Sequence, residues 1–216
     1  MARVKVGALI SGRGSNLQAL IDAAQAPDYP VEIACVISNR PDAAGLDRAE
    51  AAGIPAEVVD HTLFPTRAGF EGALSESLVS AGCELVCLAG FMRVLTASFV
   101  ELWRDRLINI HPSLLPAFPG LDTHAAALAA GVKIAGCTVH FVRETVDAGP
   151  IIGQAAVPVL PGDDADSLAA RVLGAEHRLY PHCLGLVASG RTRIVGQRVE
   201  ITDAATRDEM LVNPPL

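Results

Sequence analysis

Short, unbroken apolar runs alternate with amphipathic stretches through the first half of this chain, and that alternation restricts the fold more than any other feature. Val4–Ile10 (VKVGALI), Val31–Ser38 (VEIACVIS), Ala56–Asp60 (AEVVD), Glu84–Gly90 (ELVCLAG) and Arg106–Pro112 (RLINIHP) read as strands. Between them, segments opening at Asn16, Ala44, Thr66 and Leu95 carry helical periodicity, and Gly53 and Gly82 close two of them. A strand that is apolar at successive positions needs cover on both faces. The expected fold class is therefore α/β, a mostly parallel sheet with helices on both faces.

The second half has a different texture. Ile134–Val142 (IAGCTVHFV) and Gly149–Val159 (GPIIGQAAVPV) are longer strand-like runs joined by RETVDAG. A helix is expected from about Asp166 to Leu186, and Ile194–Ile201 reads as a last strand. No linker rich in Gly, Pro or Ser separates the halves, so residues 1–216 are expected to form one continuous domain with two lobes.

Composition narrows the function classes. A formal net charge of −7 argues against a broad basic face for nucleic acid while leaving room for a local cationic pocket. No apolar run approaches the ~20 residues of a membrane helix, so no membrane partner is expected. The opening MARVKVGALI leads straight into a glycine loop and reads as a strand, not a signal peptide. Cys35, Cys83, Cys87, Cys137 and Cys183 lie mostly in apolar segments, are odd in number and form no CxxC pair. They read as reduced, buried thiols of a cytoplasmic protein, with no metal site.

In open parallel sheets ligands sit beyond the carboxyl ends of the strands. The loops after the first, fourth and fifth strands therefore lie on the functional edge. In the first, SGRGSNLQAL, Gly12 and Gly14 permit tight turns, and the spacing of Ser15 and Gln18 suggests Ser15 as helix N-cap. Such a loop either merely starts a helix or holds phosphate on free N–H groups at the helix's positive end. It lacks the Gly-Lys-Ser/Thr of a Walker loop, and Leu17 stands where a dinucleotide fingerprint needs glycine. A small phosphate monoester fits best.

The fifth strand ends in INIHPSLLPAFPG. Asn109 and His111 are two apart and share one face of the strand. An amide donor beside a proton carrier can stabilise a developing oxyanion. Asp147, in VDAGP, is an ordinary turn residue unless the fold returns it to His111. After the fourth strand, AGFMRVL either lines a pocket for a flat heterocycle or buries its Phe and Met in the core. His124, near a helix start, and His140, in a strand, read as structural; His61, His177 and His182 show no catalytic spacing.

Together SGRGSNLQA, LAGFMRVL, NIHPSLLPAFPG, GCTVHFVRETVDAGPII and AEHRLYP, in this order from about Val4 to Pro181, resemble the phosphoribosylglycinamide formyltransferase family. The resemblance implies a Rossmann-like formyltransferase fold with a phosphate-binding half (about 1–105) and a catalytic, folate-binding half (about 106–216). It implies transfer of the formyl group of 10-formyltetrahydrofolate, as co-substrate, to the amine of glycinamide ribonucleotide, in purine biosynthesis. On that resemblance Asn109, His111 and Asp147 are the catalytic trio. Gly14, Ser15 and Asn16 meet the ribonucleotide phosphate, and Glu176 meets the ribose hydroxyls. Arg67, Met92, Arg93, Val94, Leu95 and Asn109 meet the folate.

Ala148, Asp122 and Leu173 depart from the family pattern without removing a catalytic group. The alternative within the same chemistry is a 10-formyltetrahydrofolate hydrolase, which carries an extra N-terminal domain; here the first strand starts at Val4. Methionyl-tRNA formyltransferase carries an extra C-terminal RNA-binding domain, for which little chain remains after the helix at Asp166. A homodimer is compatible with the sequence.

Overall fold

The structure is a computed structural model and describes residues 2–203 and Asn213. Residues 204–212 and 214–216 of the expected domain lie outside that description, as does Met1. The first half forms β1 (Val4–Ile10), α1 (Ser15–Ala24), β2 (Val31–Ser38), α2 (Gly45–Ala51), β3 (Ala56–Val58), α3 (Arg67–Ser80), β4 (Leu85–Leu88), α4 (Ala97–Leu102) and β5 (Leu107–His111). The second half forms α5 (Thr123–Ala129), β6 (Ile134–Phe141), β7 (Ile151–Pro158), α6 (Ala165–Ala188), β8 (Thr192–Val195) and β9 (Arg198–Ile201).

One nine-stranded sheet runs in the order β3-β2-β1-β4-β5-β6-β7-β9-β8. Strands β1 to β5 pair in parallel, as their continuous apolar sequences require. β6 reverses the sheet, pairing antiparallel with both β5 and β7. Helices cover both faces. One core gathers Ile10, Leu17, Leu20 and Tyr180, the other Phe70, Leu74, Phe99 and Trp103. A third, smaller cluster around Cys137, Val157, Leu168 and Val172 lies under the second half.

Two expectations needed correction. The run Ile194–Ile201 is not one strand but a hairpin, β8 and β9, turned at Gly196 with φ 63°. A two-residue hairpin needs positive φ at its first turn position, which glycine supplies without steric cost. Ser15 is not the N-cap of α1. Gly14 caps it in the left-handed region (φ 70°), with no side-chain cap bond, so Ser15 is the first helical residue. A Cβ at position 14 would stand 2.6 Å from the Gly45 Cα, so glycine is required twice over.

Strand order reverses at β1, whose neighbours are β2 and β4. The loops after β1 and β4 therefore open side by side, where α/β sheets form their crevice. The loop after β5 borders the same edge.

Candidate active site

β5 ends the parallel part of the sheet and delivers Asn109 and His111 to its carboxyl edge. The antiparallel partner β6 places His140 directly opposite Asn109. Asp147 arrives from the turn between β6 and β7. That turn packs so closely that a Cβ at Gly149 would stand 1.7 Å from the Phe141 carbonyl oxygen, so the VDAGP turn depends on a glycine there. Asp147 itself takes φ 55°, a conformation aspartate tolerates better than most residues.

The result is a compact buried cluster. His111 Nδ1 lies 3.4 Å from Asp147 Oδ2, and His140 Nε2 lies 3.8 Å from Asp147 Oδ1. The same Asp147 Oδ2 accepts the Gly120 backbone N–H at 2.8 Å, tying the loop after β5 to the turn before β7. His111 Nε2 meets the Phe118 carbonyl oxygen at 3.0 Å. A carboxylate and a carbonyl thus face the two ring nitrogens, an arrangement that the imidazolium, with two N–H donors, satisfies fully.

His140 is 2 % exposed, and the sequence reading as a structural histidine missed its place in this cluster. Its Nδ1 faces the Phe141 carbonyl oxygen at 3.0 Å and so carries the hydrogen. Its Nε2 is then an acceptor, and Asn109 Nδ2 donates to it at 3.3 Å. Burial pushes the His140 pKa down, the bond to Phe141 and the Asp147 charge opposing. A neutral His140 thereby sets the Asn109 amide, leaving its second N–H for the cleft. From the sequence alone, nothing says that β6 runs antiparallel to β5 and opposes these two residues.

The Pro-rich loop after β5 has its own fastenings. Thr138 Oγ1 accepts from Leu115 N at 3.1 Å and donates to the Ser113 carbonyl at 2.7 Å. Gln154 Nε2 donates to the Leu115 carbonyl at 2.9 Å.

The ribonucleotide residues expected from sequence also converge. Asn16, in the first turn of α1, donates from Nδ2 to Glu176 Oε2 on α6 at 2.7 Å. Asn16 Oδ1 is buried with no partner among the described residues. Burial raises the Glu176 pKa, the Asn16 hydrogen bond opposing. Gly14 and Ser15 supply backbone N–H groups at the same helix start.

The stretch Phe91–Leu95 after β4 divides between core and surface. Phe91 and Leu95 are buried in the core beside Phe70, whereas Met92, Arg93 and Val94 are exposed. The Leu95 side chain therefore belongs to the core. Arg67, the first residue of α3, is exposed and makes no hydrogen bond to this loop; one turn on, Glu71 of the same helix does. Of the departures, Asp122 caps α5 with φ 55°, Ala148 is exposed, and Leu173 is half-buried on α6. All five cysteines are free and buried, and among the described residues no three His, Cys, Asp or Glu side chains group to hold a metal. Among them too, no helix is long and apolar enough to cross a membrane.

Comparison with known proteins places the chain among formyl-transferring enzymes. The phosphoribosylglycinamide formyltransferase of Escherichia coli is 45 % identical over 186 residues, covering 86 % of this chain and 88 % of that one. The solved glycinamide ribonucleotide transformylase 1 of Symbiobacterium toebii superposes with a TM-score of 0.91 at 51 % identity, over 93 % of this chain and 95 % of that one. A formyltetrahydrofolate deformylase from Pseudomonas syringae is more distant, with TM-score 0.86 at 26 % identity over 93 % of this chain and 66 % of that one. The trifunctional purine biosynthetic protein adenosine-3 of Bos taurus is 53 % identical over 192 residues, 89 % of this chain, which spans only 19 % of that protein's length. Residues 4–184, from β1 into α6 and so across every residue of the cleft, match the formyl transferase family, and the chain belongs to that family.

Proposed function

We propose that the protein transfers the formyl group of 10-formyltetrahydrofolate to the amine of glycinamide ribonucleotide, giving formylglycinamide ribonucleotide and tetrahydrofolate in purine biosynthesis. The observation that carries this reading is the Asn109–His140 and His111–Asp147 pairing, set beside the Asn16–Glu176 link.

The co-substrate supplies an activated formyl carbon bound to a nitrogen leaving group. When the substrate amine attacks that carbon, the formyl oxygen gains negative charge. Asn109 donates its free Nδ2–H to this oxygen, already aimed by His140. His111, charged and held by Asp147, adds a positive field over the same atom. Asp147 accepts the amine's proton through an ordered water. His111 returns a proton to the departing nitrogen, which requires its Nε2–H to leave the Phe118 carbonyl. Bonds and protons balance: one C–N bond forms, one breaks, and one proton moves from amine to leaving nitrogen.

Gly14, Ser15 and Asn16 would receive the phosphate, and Glu176 the ribose hydroxyls. Arg67, Met92, Arg93, Val94 and Leu95 would receive the folate, the loop mainly through its backbone. We place the reaction in the cytoplasm, which the five reduced thiols support, with no metal, nucleic acid or membrane partner; a homodimer is compatible with it.

Asn109→Ala and Asp147→Asn should each lower kcat by about 10²–10³ with little change in ribonucleotide affinity by calorimetry. A variant with near-normal kcat removes that residue from the mechanism. Tetrahydrofolate release by the wild type without added ribonucleotide would point to the hydrolase instead.

A further inference from the structure

The loop after β4 is fastened at both ends by buried polar side chains that the reaction does not use. At its start, Met92 N–H donates to Ser11 Oγ at 2.7 Å. Ser11 Oγ in turn donates its single hydrogen to Asn39 Oδ1 at 2.5 Å, and Asn39 Nδ2 lies 3.2 Å from His61 Nδ1. At its end, both oxygens of Glu71 accept from Thr96, one from the backbone N–H at 2.8 Å and the other from the hydroxyl. Ser11, Asn39 and Glu71 are all buried, and Glu71 has no cationic partner among the described residues. A serine and a carboxylate so placed are costly unless their bonds are made.

We propose that Ser11 and Glu71 are positioning residues for the folate side of the site. Between the two fastenings only Met92, Arg93 and Val94 face outward, with Phe91 and Leu95 anchored in the core on either side. A backbone stretch pinned at its ends by polar groups and plugged by two apolar side chains is held ready to read a flat heterocycle, without ordering cost on binding. Ser11 also begins the loop that leads to Gly14, Ser15 and Asn16.

This inference rests on the proposed formyl transfer for the identity of the ligand. The test uses the full chain and the variants Ser11→Ala, Ser11→Thr and Glu71→Gln. Amide exchange across residues 91–96 is read in the free protein, and calorimetry measures affinity for 10-formyltetrahydrofolate and for glycinamide ribonucleotide separately. Losing one buried hydrogen bond predicts about tenfold weaker folate binding in Ser11→Ala, faster exchange in that loop, and ribonucleotide affinity within about twofold of wild type. Ser11→Thr, which keeps the hydroxyl, restores folate affinity. Glu71→Gln, which keeps the shape and one acceptor, gives a smaller loss in the same direction.

If Ser11→Ala binds folate as the wild type does, the inference is wrong. It is equally wrong if both affinities fall together, since that reports general loosening. If the wild type itself binds no folate, the proposed function fails, and the folate role of this loop with it.

Discussion

His140 governs which way Asn109 can point. With Nδ1–H given to Phe141 and Nε2 open, it accepts one amide hydrogen and leaves the other facing the cleft. Its neutrality matters for a second reason. Burial lowers its pKa, which disfavours a second cation beside Asp147, whose carboxyl also faces His111. The sign for stability follows: a depressed histidine stabilises the fold above its ordinary value of 6.5, and that stability is lost as pH falls from there. His140→Ala should lower kcat by about tenfold, the worth of one aimed hydrogen bond, while leaving ribonucleotide affinity unchanged. In an Asn109→Ala background the same change should cost less than about twofold, because the group it aims is gone. Equal losses in both backgrounds would mean that His140 acts independently of Asn109. Asn109 and His111 were legible in the sequence because period two puts them on one face of a strand. His140 was not, because its partner is set by antiparallel pairing that no local pattern announces. Asp147 was legible only through resemblance; its return to His111 depends on the tight turn at Gly149.

Strand by strand, continuous apolar runs marked the parallel half of the sheet well, and β1, β2, β4 and β5 lie where such runs predicted. The C-terminal hairpin was harder to see. The run Ile194–Ile201 is apolar at both ends with polar residues between, and only Gly196 marks the turn. In the loop after β4 the core reading holds for Phe91 and Leu95 but not for Met92, which is exposed with Arg93 and Val94. Leu95 is 8 % exposed, whereas Val94 is 56 % exposed and Met92 67 %. Substitution by aspartate separates these roles. Val94→Asp should weaken binding of a folate analogue about tenfold, a loss of roughly 1.4 kcal/mol, with little change in Tm. Leu95→Asp buries an unpaired carboxylate against Phe70 and Phe91 and should cost about 4 kcal/mol of stability or more. Calorimetric titration and thermal melts on the pair decide it. If Val94→Asp lowers Tm as much as Leu95→Asp does, the two side chains are not divided between cleft and core.

Across the whole molecule, a hydrogen bond spanning 160 residues of sequence joins Asn16 on α1 to Glu176 on α6, the pair proposed to seat the ribonucleotide. Both helices pack on the same face of the sheet, so folding that face brings the two side chains together. The link keeps a carboxylate buried, and burial raises its pKa above the ordinary 4.5. The fold thus favours the protonated form. Its contribution is most favourable below the ordinary carboxylate value and is lost as pH rises through the raised one. Above that raised value the charged Glu176 costs stability; the proposed function would require that cost, since a carboxylate offers two acceptor oxygens, one for Asn16 and one for a ribose hydroxyl. Glu176→Gln keeps an acceptor for Asn16 and removes the charge. It should raise Tm at pH 8 by about 2–4 °C for each kcal/mol relieved, while raising the KM for ribonucleotide. Below about pH 4, where the wild-type side chain is protonated in both states, the gain should vanish. Thermal melts of the two proteins across pH, with steady-state rates at neutral pH, measure both sides. A variant less stable than wild type at pH 8 would mean that the bond to Asn16 outweighs the burial of charge, and that the seat is held together by Glu176 instead of strained by it.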